Sequence, residues 1–348
     1  MMHFVRFEKS VQKADLLNPS NGFKPQSQSV ERRKDTLTDR WCRINIERAN
    51  RPKDRVGDAS VLQLVESSRI GCPFCPDRLA TSTPMFPESL VREGRLKVGE
   101  AIAFPNLFVF AQYHSVVVLT GEHYQPLDRF KPECIRNGFD VAIRYLKAVA
   151  ESNPLVRYCS INWNSLPTAG ASMIHPHLQV IADVAPTKYV GEILDASEAF
   201  HRKHGVSYWD DLVEAEKENG ERFIADFGGS KWLTSFCGLG NNDVLGVLDV
   251  SNIFELSGST LDDLSDGLSA MLRGYQSIGV QGFNISLYSG PMDSYTPHFR
   301  VHVRMISRPD PRPMYTSDAG FLERLHDEVV VETRPEDVAL KIRTTVSR

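Results

Sequence analysis

Three residues at alternate positions, His175, His177 and Gln179, stand in the run His175-Pro176-His177-Leu178-Gln179. Alternate side chains of a strand point to one face, so the three look into one pocket together. One histidine in a strand is usually a satisfied core residue. Two with a glutamine on one face are costly to bury without chemistry to perform. The stretch before them, Asn164 to Ser172, holds Ala169-Gly170-Ala171, small residues that let backbone amides approach a ligand as phosphate sites require. Of six cysteines, only Cys72 and Cys75 form a pattern. With two later histidines they make a thiolate–imidazole set suited to tetrahedral zinc. Cys42, Cys134, Cys159 and Cys237 are scattered and suit small buried apolar positions in a reducing compartment.

The elements that must position these groups occur twice. Tyr158 to Trp163 is strand-like, a Pro/Gly/Ser loop follows, and His175 to Ala182 is a second strand. Before them, Leu127 to Val149 has helical spacing. Later come a strand over Leu245 to Leu256, a helix over Thr260 to Ile278, and strands over Phe283 to Tyr288 and His298 to Ile306. Asn162 recurs as Asn284 and His175 as His298, offsets of 122 and 123 residues, which points to an internal duplication. That offset sets Arg300 opposite His177 and leaves the second copy without a nucleophile there. The fold expected is α+β, two duplicated units, each an antiparallel sheet packed with helices. The division expected is a flexible polar arm over 1–38, a catalytic unit with the metal site over 39–195, and a second unit over 196–348. Lys188 to Asn219 reads as a polar helix and linker between the copies.

Asn164, Ala169 to Ser172 and His175-Pro176-His177-x-Gln179 together resemble the active-site segment of the galactose-1-phosphate uridylyltransferase family, in the histidine-triad superfamily of nucleotidylyltransferases and phosphorylases. Arg48-Ala49-Asn50-Arg51-Pro52, Cys72-Pro73-Phe74-Cys75-Pro76, Thr83-Pro84, Phe104-Pro105-Asn106, His114 to His123 and Pro335 to Ala339 continue the likeness in order. The resemblance implies that His177 attacks the α-phosphorus of a nucleoside diphosphate sugar and carries the nucleotidyl group, its ring oriented by the carbonyl of His175. It implies that Gln179 and Ser172 donate to phosphate oxygens. Asn164 and the Gly170 loop hold the phosphates, and Arg48, Arg51 and Asn106 contact the nucleotide. It picks His123 and His175 to join Cys72 and Cys75 on a structural zinc, with His114 the competitor for the third position. Some relatives hold a second metal, iron or zinc, for which Glu192, His298 and His302 are the candidates here. It also implies a homodimer whose partner subunit completes each site.

Length and charge agree with this picture. A chain of 348 residues exceeds one small core, and a net charge of −4 argues against a broad basic surface for nucleic acid. No apolar run reaches the length of a membrane span, and the opening stretch holds no hydrophobic segment for a signal peptide, so the cytoplasm is expected. The acceptor and base are not fixed by the residues. Leu166 stands where many relatives have glycine, Leu107 where some have a ribose-binding aspartate, and Ala319 to Glu323 only partly matches their hexose-phosphate grip. Transfer to a sugar phosphate is the first reading. Phosphorolysis of a nucleotide sugar or dinucleoside polyphosphate is the alternative. A nucleotide- or metal-binding protein without turnover is the third, disfavoured by the retention of His177, Gln179 and Ser172 together.

Overall fold

The structure is a computed structural model that describes residues 3–50, 61–311 and 317–346. Along the first half come β1 (Lys9–Asn18), β2 (Lys24–Lys34), β3 (Trp41–Ile44), α1 (Val61–Arg69), α2 (Pro76–Ser82), β4 (Leu96–Val98), β5 (Ala101–Pro105), β6 (Tyr113–Val118), α3 (Pro132–Ser152), β7 (Tyr158–Ser165) and β8 (His177–Asp183). The second half continues with α4 (Lys188–His204), α5 (Tyr208–Asn219), β9 (Phe223–Asp226), β10 (Ser230–Thr234), β11 (Val244–Leu248), α6 (Ser259–Ser277), β12 (Gly282–Tyr288), β13 (His302–Arg308), α7 (Phe321–Leu325), β14 (Val329–Val331) and α8 (Pro335–Val346).

Ten strands form one antiparallel sheet in the order β4-β5-β6-β8-β7-β12-β13-β11-β10-β9. The order reads the same from either edge when β6-β8-β7 is matched to β11-β13-β12, which is the expected duplication. The two half-sheets are fused rather than separate. β7 and β12 pair along their length, with Asn164 opposite Asn284 and Asn162 opposite Ser286. The boundary expected near residue 195 therefore falls within α4, beside a sheet that both halves share.

The helices follow from apolar spacing. α3 begins on Pro132 and buries Ile135, Phe139, Ala142, Leu146 and Val149, positions three, four or seven apart. α6 buries Leu261, Leu264, Leu268, Leu272 and Tyr275 in the same way. Both lie on one sheet face, against Leu178, Val180 and Ala182 of β8 and Ile285 and Leu287 of β12. The other parity of β8, His177 and Gln179, looks out on the opposite face. There the first half is covered by Cys72, Phe74 and Leu79 against Phe104, Val116 and Val118. The second is covered by Tyr208, Trp209 and Leu212 of α5 against Leu233, Leu245 and Val247. The polar stretch expected as helix and linker is two helices, the first capped by Thr187 and ended by left-handed Gly205.

The opening segment corrects an expectation. Residues 9–34 form a β1–β2 hairpin rather than a flexible arm, in a second sheet of order β1-β2-β3-β14. Its polar composition hides a buried charge network. Arg33 is 1% exposed, and its guanidinium donates to Glu336 at 2.8 and 3.0 Å and to Glu31 at 2.6 Å. Arg222 donates to the same Glu336 at 2.8 Å, and both guanidiniums pack on the Phe236 ring. Among the described residues, no helix is long and apolar enough to cross a membrane.

Candidate active site and metal centre

The Cys72–Cys75 knuckle leads directly into α2, which starts on Pro76, and sits over the end of β6 and the start of β8. Cys72, Cys75, His123 and His175 bring one sulfur or nitrogen each within 4.8 Å of the others. Cys72 Sγ and Cys75 Sγ lie 3.8 Å from His175 Nδ1, and Cys75 Sγ lies 3.6 Å from His123 Nδ1. A zinc tetrahedron with metal–sulfur bonds near ~2.3 Å and metal–nitrogen bonds near ~2.0 Å has sulfur–nitrogen edges of about 3.6 Å, so the donors fit. Both imidazoles are prepared for Nδ1 ligation. His175 Nε2–H donates to the Thr120 carbonyl at 2.8 Å, and His123 Nε2 meets Ser68 Oγ at 2.9 Å. Burial, only partly offset by the Thr120 carbonyl, pushes His175 down to about 4. Burial and the adjoining Cys72 push the Cys75 thiol up to about 11. A dication between the two sulfurs is the group that would let both ionise. Of the two histidines that competed for the third position, His123 is in this group and His114 is not.

Two residues on from His175 of this cluster, His177 donates its Nδ1–H to the His175 carbonyl at 2.8 Å. That bond leaves Nε2, which has no partner among the described residues, as the lone pair. The Phe74 ring packs edge-on at 5.3 Å. Burial lowers the basicity of His177 more than the carbonyl raises it, so the ring is neutral. On the same face, Gln179 Oε1 lies 3.1 Å from His114 Nε2, and Asn106 Nδ2 lies 3.0 Å from that nitrogen.

The small-residue loop is held from the other half. Asn284 Nδ2 donates to Asn164 Oδ1 at 2.7 Å and to the Ala169 carbonyl at 2.8 Å, which leaves the Asn164 amide N–H groups for a ligand. Sequence reasoning used Asn284 only to mark the repeat; its place opposite Asn164 in the β7–β12 ladder was the missed signal. Gly170 is left-handed at φ 83°, with open space where a Cβ would be, and Ser172 is exposed beside it. Leu166, at the loop's start, has φ 70° and ψ 158°, a conformation almost confined to glycine, and yet it is buried. Arg48 is exposed on the turn Ile46–Asn50, whose Ala49 lines a cavity with Asn241, Arg308 and Thr333. Arg51 lies outside the described residues.

The chain matches no family model. It is 31% identical over 340 residues to an uncharacterized protein of Archaeoglobus fulgidus, covering 97% of this chain and 98% of that protein, so the two share a family. It is 28% identical over 214 residues to the ADP-glucose phosphorylase of Arabidopsis thaliana, covering 53% of this chain and 57% of that enzyme. The crystal structure of an Arabidopsis thaliana ADP-glucose phosphorylase with bound ADP-glucose superposes with a TM-score of 0.69 at 19% identity, over 90% of this chain and 98% of that one. A uridylyltransferase structure superposes with a TM-score of 0.66 at 18% identity, over 90% and 97%. At these identities the superpositions establish a common fold, and the ordered motifs run through it. The chain has the fold of the uridylyltransferases and of ADP-glucose phosphorylase, and it shares a family with the Archaeoglobus protein.

The two halves of this chain differ in one register. His302, not Arg300, corresponds to His177. His302 Nδ1–H donates to the Arg300 carbonyl at 3.0 Å, the same bond two residues back, and Val247 faces His302 as Val118 faces His177. The offset in these strands is thus 125 residues, because the loop before β13 is longer than the loop before β8. The expectation put Arg300 at this place and no nucleophile in the second copy; the residue at this place is a histidine. That histidine is shut in: Trp209 stacks on His302 at 4.1 Å, Tyr288 and Phe299 pack around it, and its buried Nε2 has no partner among the described residues. The three candidates for a second metal are not brought together. Glu192 is paired with Arg40 and Lys188, His298 stacks on His201, and His302 belongs to the aromatic cage. The rings of Trp209 from α5, Tyr288 and Phe299 occupy the space around His302 that ligands would need.

Proposed function

We propose that this chain is a nucleotidyl-transferring enzyme that moves a nucleoside monophosphate from a nucleoside diphosphate sugar to a phosphate-bearing acceptor through a covalent nucleotidyl-His177. The Nε2 lone pair attacks the α-phosphorus, the bond from that phosphorus to the bridging oxygen breaks, and a sugar phosphate leaves. An acceptor phosphate oxygen then attacks the same phosphorus, the P–N bond breaks, and the imidazole is restored. Gln179 and Ser172 donate to the non-bridging oxygens, Asn164 and the Gly170 loop hold the phosphates, and Arg48, Arg51 and Asn106 contact the nucleotide. A zinc ion on Cys72, Cys75, His123 and His175 would be structural, fixing the carbonyl that aims His177. The observation that carries this reading is the His177 Nδ1–H bond to the His175 carbonyl at 2.8 Å, with Nε2 left over on the face it shares with Gln179.

Transfer between sugar phosphates, of the UDP-glucose–hexose-1-phosphate kind in carbohydrate metabolism, is one form of this reaction. Phosphorolysis is the second reading, favoured by the 28% identity to an ADP-glucose phosphorylase. Residues 319–323 also keep only part of the hexose-phosphate grip, and Phe321 there is exposed. We assign the protein to the cytoplasm as a homodimer. The test is incubation with labelled UDP-, ADP- and GDP-glucose, followed by a chase. Label released only by inorganic phosphate supports phosphorolysis, release only by a sugar phosphate supports transfer, and no labelling by any donor contradicts both.

A further inference from the structure

His114 lies outside the metal centre but is 3% exposed on the active-site face, under the Phe110 ring at 4.1 Å. Its Nε2 is contested: Gln179 Oε1 is 3.1 Å away and Asn106 Nδ2 is 3.0 Å away, while the buried Nδ1 has no partner among the described residues. One nitrogen offers either a proton for the Gln179 carbonyl or a lone pair for the Asn106 amide. The orphan at Nδ1 decides between them. A buried lone pair left unmatched is tolerated more readily than a buried N–H, so the proton belongs on Nε2. Given to Gln179 Oε1, it turns the glutamine NH2 away from His114; the Asn106 amide, whose Oδ1 accepts from the Phe108 N–H at 3.1 Å, then has to swing its NH2 off that nitrogen toward a ligand. The second half shows the alternative at the same two positions, where Asp243 of the β11 approach holds Arg304 at 2.5 Å.

We propose that His114 is a positioning residue of the nucleotidyl-transfer site: its Nε2–H fixes the Gln179 carbonyl so that the amide N–H bonds face the phosphate His177 attacks. This deepens the nucleotidyl-transfer reading and rests on it. The experiment is the single-turnover rate of His177 adduct formation, with the donor concentration for half-saturation and the zinc content measured alongside. His114→Phe should slow adduct formation by about 10–100-fold, less than or equal to the loss expected for an oxyanion donor itself, with half-saturation moved by less than about threefold. His114→Gln, which can place an N–H near the same point, should recover most of the rate. His114→Phe added to Gln179→Ala should cost nothing further, because the histidine acts only through the glutamine. A wild-type rate in His114→Phe, a further loss in the double variant equal to that in the single, or loss of zinc would each overturn the proposal. Absence of any adduct in the wild-type protein is a separate outcome, and it removes the nucleotidyl-transfer reading together with this inference.

Discussion

His177 and His302 make the same bond, Nδ1–H to the carbonyl two residues back, at 2.8 and 3.0 Å, on corresponding strands of the two halves. What separates them is cover. Over His177 the knuckle sets Phe74 edge-on at 5.3 Å, whereas α5 lays Trp209 flat on His302 at 4.1 Å. The first imidazole can therefore meet a substrate and the second is core. His302→Ala should leave His177 adduct formation unchanged while costing about 2–4 kcal/mol of stability, the scale for truncating a packed ring. Urea denaturation and a labelling assay on the same preparation check both halves of that statement.

The fit of the Cys72–Cys75–His123–His175 cluster to a metal depends on how its imidazoles are turned. Ser68 Oγ meets His123 Nε2 at 2.9 Å and itself donates to the Val65 carbonyl at 2.8 Å. Ser68→Ala should weaken zinc binding about 10–100-fold, as loss of such an outer partner does elsewhere. His175→Ala should abolish binding and lower the unfolding midpoint. Competition with a chromophoric chelator reads the first change and metal analysis the second. Zinc retained at full affinity in His175→Ala would remove that residue from the ligand set.

Leu166 sets packing against backbone strain. Its positive φ costs about 1–3 kcal/mol, and burial of its side chain returns about 1.5–3 kcal/mol. Leu166→Gly loses the packing but relieves the strain; Leu166→Ala loses the packing and keeps it. Glycine should therefore be the more stable of the two variants, the reverse of the usual order, by about 1–2 kcal/mol in chemical denaturation.

Much of this was legible in the chain, and what escaped has physical causes. The strand bearing His175, His177 and Gln179 shows because alternate polar residues on a buried strand are conspicuous, and the knuckle shows because cysteines two residues apart seldom serve packing. The repeat order showed as well, but its register did not. A loop-length difference before β13 shifts the match from His298 to Arg300 for His175, and from Arg300 to His302 for His177. The β1–β2 hairpin was hidden because its stabilising contacts are charged: an arginine that ends up fully buried reads as surface. The Asn284–Asn164 bond joins residues 120 apart, which no local pattern reports.

That buried network also sets an acid limit. Burial would raise the Glu336 carboxyl, but Arg33 and Arg222 more than offset it and hold it at about 2. A carboxyl lowered on folding stabilises above its unfolded value and loses that contribution as pH falls from ~4.5 through ~2, here about 3 kcal/mol in all. The stability gap between the wild-type protein and Glu336→Gln should thus shrink by about 2 kcal/mol between pH 7 and pH 3. A gap independent of pH would remove Glu336 from that role.

The central claim is that His177 becomes covalently nucleotidylated, and intact-protein mass spectrometry tests it most directly. The protein is mixed with a nucleoside diphosphate sugar and no acceptor, then quenched under mild base, where a phosphoramidate survives. The account predicts a mass gain equal to one nucleoside monophosphate, lost on brief acid treatment and absent from His177→Gly, which should still fold and hold zinc. No gain with the UDP, ADP or GDP sugars, or the same gain in His177→Gly, would contradict it.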